Sequence, residues 1–219
     1  MKVDFEFLSD EQIYRKLMRE EIPSARQAVF IATALVKQTQ IEITKGEFGP
    51  FIQLVDDLIR RCVSVSILLA GKPSKSFMDS IARFPRVAAA LQFRVCARNH
   101  MKIVLIDNAR LYLGSANLTG AGMGRKSNDR RNFEFGLYTT DPRLIRRVSG
   151  MAEEIWLQKP CRSCQATRLC AFEHHRIRAG LELAGMTLHN WSAQRDWPAE
   201  IRHFAAVDLV RKRRPTLDN

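Results

Sequence analysis

The feature that most constrains the fold is a predicted hairpin in the middle of the 219-residue chain. Residues 103–106 are apolar and mostly β-branched, which predicts a buried strand, and residues 111–113 predict a second strand. Asp107 and Asn108 lie between the two runs and are a turn signal. Because the second strand must fold back along the first, the residues before and after the hairpin are expected to meet.

Those flanking residues are polar. His100 and Lys102 precede the first strand and, being two apart, would point to the same face of an extended chain. The hairpin returns Ser115 and Asn117 towards them. A patch with an ammonium, a hydroxyl and a carboxamide can hold phosphate oxygens, while an imidazole can attack phosphorus or move a proton.

The hairpin and its flanks follow the pattern His100-x-Lys102-x4-Asp107-x6-Gly114-Ser115-x-Asn117. This pattern resembles the HKD motif of the phospholipase D superfamily. In that family a carboxylate hydrogen-bonds the catalytic imidazole. Glu134 matches this carboxylate, because it stands in Asn132-x-Glu134 just before a further apolar strand. The resemblance implies an α/β fold, a mixed β-sheet flanked by helices, over residues 1–158. It also implies structural roles for Asp107 and Gly114, and catalytic roles for His100, Lys102, Ser115, Asn117 and Glu134.

The chain carries the motif once. No lysine stands two positions after any of the other histidines, which are His174, His175, His189 and His203. The resemblance implies that two histidines act without a metal, one forming a phosphohistidine and the other protonating the leaving oxygen. Members of the family with one motif pair two chains about a two-fold axis. We therefore expect a homodimer, or a higher even oligomer, with one shared site.

The charge of the chain indicates the class of partner. The formal net charge is +12 and the isoelectric point is about 10.0, which favours an anionic partner, nucleic acid first and an anionic membrane surface second. Among nucleic acids we expect DNA ahead of RNA. A glycine-rich loop, residues 120–124, is followed by four basic residues that could contact a phosphate backbone or form a solvated loop. They are Arg125, Lys126, Arg130 and Arg131.

The amino-terminal residues and the cysteine content predict the compartment. Residues 1–10 include acidic side chains and no long apolar core, so we expect no signal peptide, and no apolar run is long enough to span a bilayer. Five cysteines, an odd number, argue against a disulfide framework. We expect a cytoplasmic protein with no membrane association.

The composition changes after Pro160, so residues 159–219 are predicted to be a small Cys-rich, basic C-terminal extension. Cys161, Cys164 and Cys170 form a C-x2-C-x5-C pattern, which predicts a structural metal site rather than a disulfide. The alternative is three reduced, unligated cysteines. The pattern resembles the cluster-binding segment of iron–sulfur nucleases in CRISPR adaptation and recombinational repair.

Zinc and a [4Fe-4S] cluster both suit this segment. A zinc ion could take His174 or His175 as its fourth ligand, whereas a cluster requires a fourth thiolate from Cys96 or Cys62. The order of the predicted elements places Cys96 close to His100 and favours it over Cys62. Neither metal would take part in catalysis.

Together these features predict a metal-independent phosphodiesterase, an endonuclease acting on DNA or RNA. One alternative is a catalytically silent nucleic-acid-binding subunit of a restriction or phage-defence complex. Another is a phospholipid-directed phosphodiesterase, which the sequence favours less because we find no apolar, membrane-facing loop.

Overall fold

The computed structural model describes residues 4–123, 131–166 and 170. Its centre is a seven-stranded mixed sheet with the strand order β1-β9-β8-β7-β2-β5-β6. The β2–β5 and β5–β6 pairs are parallel and the other pairs are antiparallel. A separate hairpin pairs β3 with β4. The strands are β1 (Glu6–Ser9), β2 (Ala28–Thr33), β3 (Gln40–Thr44), β4 (Glu47–Pro50), β5 (Ser64–Leu69), β6 (Gln92–Val95), β7 (Ile103–Ile106), β8 (Arg110–Gly114) and β9 (Phe135–Thr139).

Helices cover both faces of the sheet, as the predicted fold class requires. They are α1 (Glu11–Tyr14), which continues as a π-helix (Arg15–Glu21), α2 (Phe51–Arg60), α3 (Lys75–Ala82), α4 (Pro85–Ala90), α5 (Pro142–Trp156) and a 3-10 helix (Lys159–Ser163). Within the described ranges, none of these helices has the length and apolar character needed to cross a membrane.

The sheet separates two hydrophobic layers because successive side chains of a strand point to opposite faces. Val104 and Tyr112 belong to the larger core, together with the apolar faces of α2 and α3. Leu105 and Leu111 point the other way and pack with Ile145 of α5. The apolar face of α5 therefore covers the second side of the sheet.

Three local features differ from what the sequence suggests. His100 and Lys102 lie in an irregular segment before β7 rather than in extended conformation. Asp10, a residue type that commonly caps helices, occupies the N-cap position of α1 but makes no capping bond, because its carboxylate accepts the backbone N–H of Glu134 at 2.9 Å. The β3–β4 hairpin was not predicted, since its short strands carry polar residues and lack a continuous apolar run.

The predicted hairpin turn is confirmed. Asp107 and Asn108 have φ values of 54° and 51°, the left-handed pair that a two-residue turn between antiparallel strands favours. The Asp107 carboxylate accepts the backbone N–H groups of Arg26, Gln27 and Ala28, and the Arg110 guanidinium donates to it at 2.8 Å. Burial opposes ionisation, but these donors outweigh it and lower the pKa of Asp107. The carboxylate therefore joins the start of β2 to the β7–β8 hairpin.

Replacing this carboxylate should destabilise the fold in a pH-dependent way. Asp107→Asn turns one acceptor oxygen into a donor and removes the charge facing Arg110, so the free energy of unfolding should fall by about 1–3 kcal/mol at neutral pH. The pKa of Asp107 is lower in the folded chain than in the unfolded chain, where it is about 3.9. The loss of stability in Asp107→Asn should therefore be complete above pH 3.9 and should shrink as the pH falls through the pKa of Asp107 in the folded chain.

Urea unfolding of both proteins across pH measures this difference. The matched control is Asp79→Asn, which removes an exposed ion pair with Lys75 and should change stability by less than about 1 kcal/mol. Equal losses in the two variants, or a loss that persists unchanged at acid pH, would contradict the role given to Asp107.

Candidate active site

A buried asparagine sets the position of the loop that carries His100. The Asn99 side chain is 3% exposed, and its Nδ2 donates to the backbone oxygens of Thr33 and Leu68 at 3.1 and 3.0 Å. Its Oδ1 accepts the backbone N–H of Met101 at 3.1 Å. These bonds fix the loop to the carboxyl ends of the parallel strands β2 and β5. His100 follows directly and is exposed to solvent.

Sequence reasoning assigned no role to Asn99. Its position next to His100 was the only available signal, because the carbonyl groups that it binds belong to strands 31 and 66 residues away.

His100 and Lys102 meet at this end of the sheet, as predicted, although neither lies on a strand. The Lys102 Nζ is 3.1 Å from His100 Nδ1 and 3.4 Å from Nε2, and it donates to the His100 backbone oxygen at 2.9 Å. The ammonium is thus held beside the imidazole by a backbone contact as well as by the ring. One anionic group could reach both side chains.

Ser115 and Glu134 form a second polar pair at the end of β8 and just before β9. The Ser115 Oγ donates a short hydrogen bond to Glu134 Oε2, and Asn132 Nδ2 donates to Oε1 at 3.0 Å. Glu134 is buried, so these donors compensate the loss of water around its charge. The resemblance implies that this carboxylate hydrogen-bonds a catalytic imidazole; within the single chain it hydrogen-bonds Ser115 and Asn132.

Asn117 is oriented by the end of β2. Its Oδ1 accepts the Thr33 hydroxyl at 3.1 Å and the Leu35 backbone N–H at 3.3 Å. With the amide oxygen occupied in this way, the Nδ2 group is the part of the side chain available to donate to a ligand. Thr33, which the sequence did not single out, also accepts the Leu118 backbone N–H at 3.2 Å. It therefore connects β2 to the segment after β8.

The comparisons with known proteins agree with this geometry. A family model described as "Cardiolipin synthase, PLD-like domain" matches residues 18–156, more than half of the chain. The chain belongs to the phospholipase D-like family. No curated protein sequence matches it.

Two solved structures have a similar fold. NucT from Helicobacter pylori is 17% identical, with a TM-score of 0.50 over 70% of this chain and 95% of that one. Nuc from Salmonella typhimurium, a phospholipase D family member, is also 17% identical, with a TM-score of 0.52 over 71% and 95%. At this identity the likeness shows the shared fold.

Gly114 of this phospholipase D-like chain has a steric role. A Cβ at this position would lie 2.6 Å from the Phe135 backbone oxygen and would also meet the Tyr112 ring. Gly136 on the neighbouring strand faces the same ring, whose Cζ would be 2.8 Å from an added Cβ. The two glycines make room for buried Tyr112 at the point where β8 delivers Ser115. This agrees with the structural role predicted for Gly114.

The predicted nucleic-acid contacts fall mostly outside the described residues. Arg125, Lys126 and Arg130 lie there. Arg131 is described and is half-buried, one residue before the asparagine that donates to Glu134. One of the four basic residues is thereby placed beside the site.

The cysteines converge next to the His100 loop. The Ala97 backbone N–H donates to Cys170 Sγ at 3.1 Å, which places Cys170 next to Cys96. Arg98 donates to Cys164 Sγ at 3.7 Å, and its charge also acts on Cys161. The contact with Cys170 lowers the pKa of Cys96 to about 6 and raises that of Cys170.

The other candidate ligands do not lie beside Cys170 in the described structure. Cys62 is exposed and lies just before the start of β5, whereas Cys96 directly follows the end of the parallel strand β6. The structure therefore brings Cys96 and not Cys62 to Cys170. The alternative ligands His174 and His175 lie outside the described residues.

Removing the Asn99 side chain should destabilise the protein even though the residue lies in a loop. Asn99→Ala leaves two buried carbonyl groups without this donor, and the free energy of unfolding should fall by about 1–3 kcal/mol in urea titrations. Asn99→Asp keeps the size and the oxygen that accepts from Met101 but cannot donate, so it should lose at least as much. If Asn99→Asp retained native stability, the two donated bonds would not be what anchors the loop.

Proposed function

We propose that this protein is a metal-independent phosphodiesterase that cleaves nucleic acid, DNA ahead of RNA, through a phosphohistidine at His100. The observation that carries the proposal is the pairing of exposed His100 with Lys102, whose Nζ is 3.1 Å from the ring. A nucleophile beside a fixed cation is what attack on an anionic phosphodiester requires.

In the first step a ring nitrogen of His100 attacks phosphorus, and the bond from phosphorus to the leaving oxygen breaks. A second acid gives that oxygen its proton. Water then attacks the phosphohistidine, releases the phosphate monoester and restores the imidazole. Dividing the displacement into two steps lets a nitrogen nucleophile and an acid replace a metal ion.

The neighbouring side chains stabilise charge during both steps. Lys102 and the free Nδ2 of Asn117 can donate to the non-bridging oxygens of the five-coordinate phosphorus, where negative charge accumulates. Ser115 is held by Glu134, which positions its oxygen at the same end of the sheet. These donors are fixed before substrate binds, so little reorganisation is needed in the transition state.

The second acid requires a second histidine, and we propose that another copy of this chain supplies it. Four exposed phenylalanines, Phe5, Phe7, Phe133 and Phe135, form a phenylalanine patch around β1 and the start of β9. The rings of Phe7 and Phe135 stack at 6.3 Å, and Phe133, next to Glu134, is 91% exposed. An exposed apolar group of this size beside the site supports an interface between two copies.

The patch also bears on the lipid alternative. The sequence showed no apolar loop, yet the fold brings these phenylalanines together from segments far apart in the chain. The net charge of +12 and the single motif favour a second copy as the occupant and nucleic acid as the substrate.

Cleavage in excess EDTA tests the chemistry. The wild-type protein should cut DNA or RNA under these conditions, and His100→Asn should abolish cutting because no nucleophile remains. Lys102→Met should lower kcat by at least about 100-fold, the typical effect of losing one transition-state donor. Lys75→Met, which changes a lysine that is 89% exposed on α3, is the matched control and should be fully active.

Denatured wild-type protein quenched during turnover should carry a nucleic-acid fragment joined through its phosphate to histidine by an acid-labile bond, and His100→Asn should lack this adduct. Salt-sensitive binding of nucleic acid with no cutting by any variant would contradict the proposal and support the silent subunit.

The shared site makes a separate prediction about assembly. Replacing Phe7 and Phe135 by serine should weaken self-association in sedimentation experiments, whereas Phe48→Ser, an equally exposed change on β4, should not. Co-expressed wild-type and His100→Asn chains should show activity that falls as the square of the wild-type fraction, since a mixed pair lacks one histidine. Activity that falls in direct proportion to the wild-type fraction would contradict a shared site. Unchanged association together with lost binding to anionic vesicles would assign the patch to lipid.

A further inference from the structure

We propose that Cys96, Cys161, Cys164 and Cys170 form a tetrathiolate zinc site that ties the chain after α5 to the loop carrying His100. The four thiols come from two distant parts of the sequence, one at the end of β6 and three after α5. The fold brings them together at one end of the sheet, on one side of the His100 loop. This inference does not depend on the proposed nuclease activity.

The placement of the thiols favours a single ion. Cys170 Sγ accepts the backbone N–H of Ala97, the residue that follows Cys96, at 3.1 Å, so Cys170 lies next to Cys96 in the structure. Four thiolates at about 2.3 Å from a tetrahedral zinc ion stand roughly 3.8 Å apart, so neighbouring thiols suit this ion. A [4Fe-4S] cluster binds each thiolate to a different iron and separates the sulfurs further. We therefore assign zinc rather than a cluster.

The surroundings also suit thiolates. The Ala97 backbone N–H donates to Cys170 Sγ at 3.1 Å, as groups around metal ligands commonly do. Zinc with four thiolates carries a net charge of −2, which the Arg98 guanidinium, in contact with Cys164 at 3.7 Å, would partly offset. Both residues belong to the segment between Cys96 and Asn99, so the protein supplies donors and compensating charge from the loop itself.

The four thiols lie in the same region but are not arranged to coordinate one ion in this structure. Within residues 4–123, 131–166 and 170, no three cysteine, histidine or acidic side chains have an arrangement that would hold a metal ion. Cys161 and Cys164 lie in and just after the short 3-10 helix and are half-exposed, and binding of the ion would draw them towards Cys96 and Cys170. The donor set, four soft thiols of a chain with no described disulfide, is the one that zinc prefers.

A metal here would hold the His100 loop from a second side. The backbone N–H of Cys96 donates to the Leu69 oxygen at 2.8 Å, and the Asn99 N–H donates to the Cys96 oxygen at 2.7 Å. Cys96 is thus directly connected to the residue that anchors His100. Zinc would act as a structural element and would take no part in the reaction.

Metal analysis of the full chain, purified under reducing conditions without a histidine tag, tests the site. The wild type should contain about one zinc per chain. Cys96→Ser and Cys164→Ser should lose most of it, whereas Cys62→Ser, the matched control, should retain it. Replacement of zinc by Co²⁺ in the wild type should give the intense visible bands and thiolate charge-transfer absorption of a tetrahedral sulfur site. This readout holds even if a variant fails to fold.

Three results would overturn the assignment. Bound iron together with a brown colour would show that the site holds an iron–sulfur cluster and not zinc. A Cys96–Cys170 disulfide found by mass spectrometry would show that a covalent cross-link, and not a metal ion, joins the two segments. Absence of metal, with all five thiols alkylated as fast as Cys62, would leave no site. Metal content is measured apart from cleavage, so its failure would not be confused with failure of the nuclease proposal.

Discussion

The site depends on the hydrogen bonds that the Asn99 side chain donates to the ends of two parallel strands. Strand β2 lies in the middle of the sheet, between β5 and β7, and carbonyl groups at its carboxyl end have no further strand residue to pair with. Asn99 satisfies carbonyls of β2 and β5 from within a loop, which makes that loop as well defined as a strand. His100 is exposed yet fixed because its neighbour is buried.

The topology explains why the polar residues share one end of the sheet. Strands β2, β5 and β8 finish at this end, and β7 and β9 begin there. Residues far apart in sequence, such as His100, Ser115 and Glu134, are therefore delivered to one place by strand direction alone. Local bonds then orient them, as when Thr33 holds the amide oxygen of Asn117 and leaves its nitrogen free to donate.

Buried charge is arranged to serve both stability and chemistry. Asp107 accepts three backbone N–H groups at the far end of the hairpin, and this supports the geometry from which His100 and Ser115 extend. Glu134 is buried beside the site, where Ser115 and Asn132 donate to its carboxylate. Asp10, which looked like a helix cap, instead binds the backbone of Glu134. The Asp10 carboxylate bonds to this distant backbone N–H and not to the start of its own helix, because a buried N–H needs an acceptor more than an exposed helix end does.

The sequence by itself determined the β7–β8 hairpin and the polar residues that flank it, because these follow from local periodicity and turn chemistry. It also indicated that Cys96, not Cys62, would approach the later cysteines. Only the tertiary structure decided that Asn99 and Thr33 organise the site, that Glu134 hydrogen-bonds Ser115 and Asn132, and that the exposed rings of Phe7 and Phe135 stack. Each of these depends on which strands become neighbours and which way their side chains face, and that is settled by packing across the whole sheet.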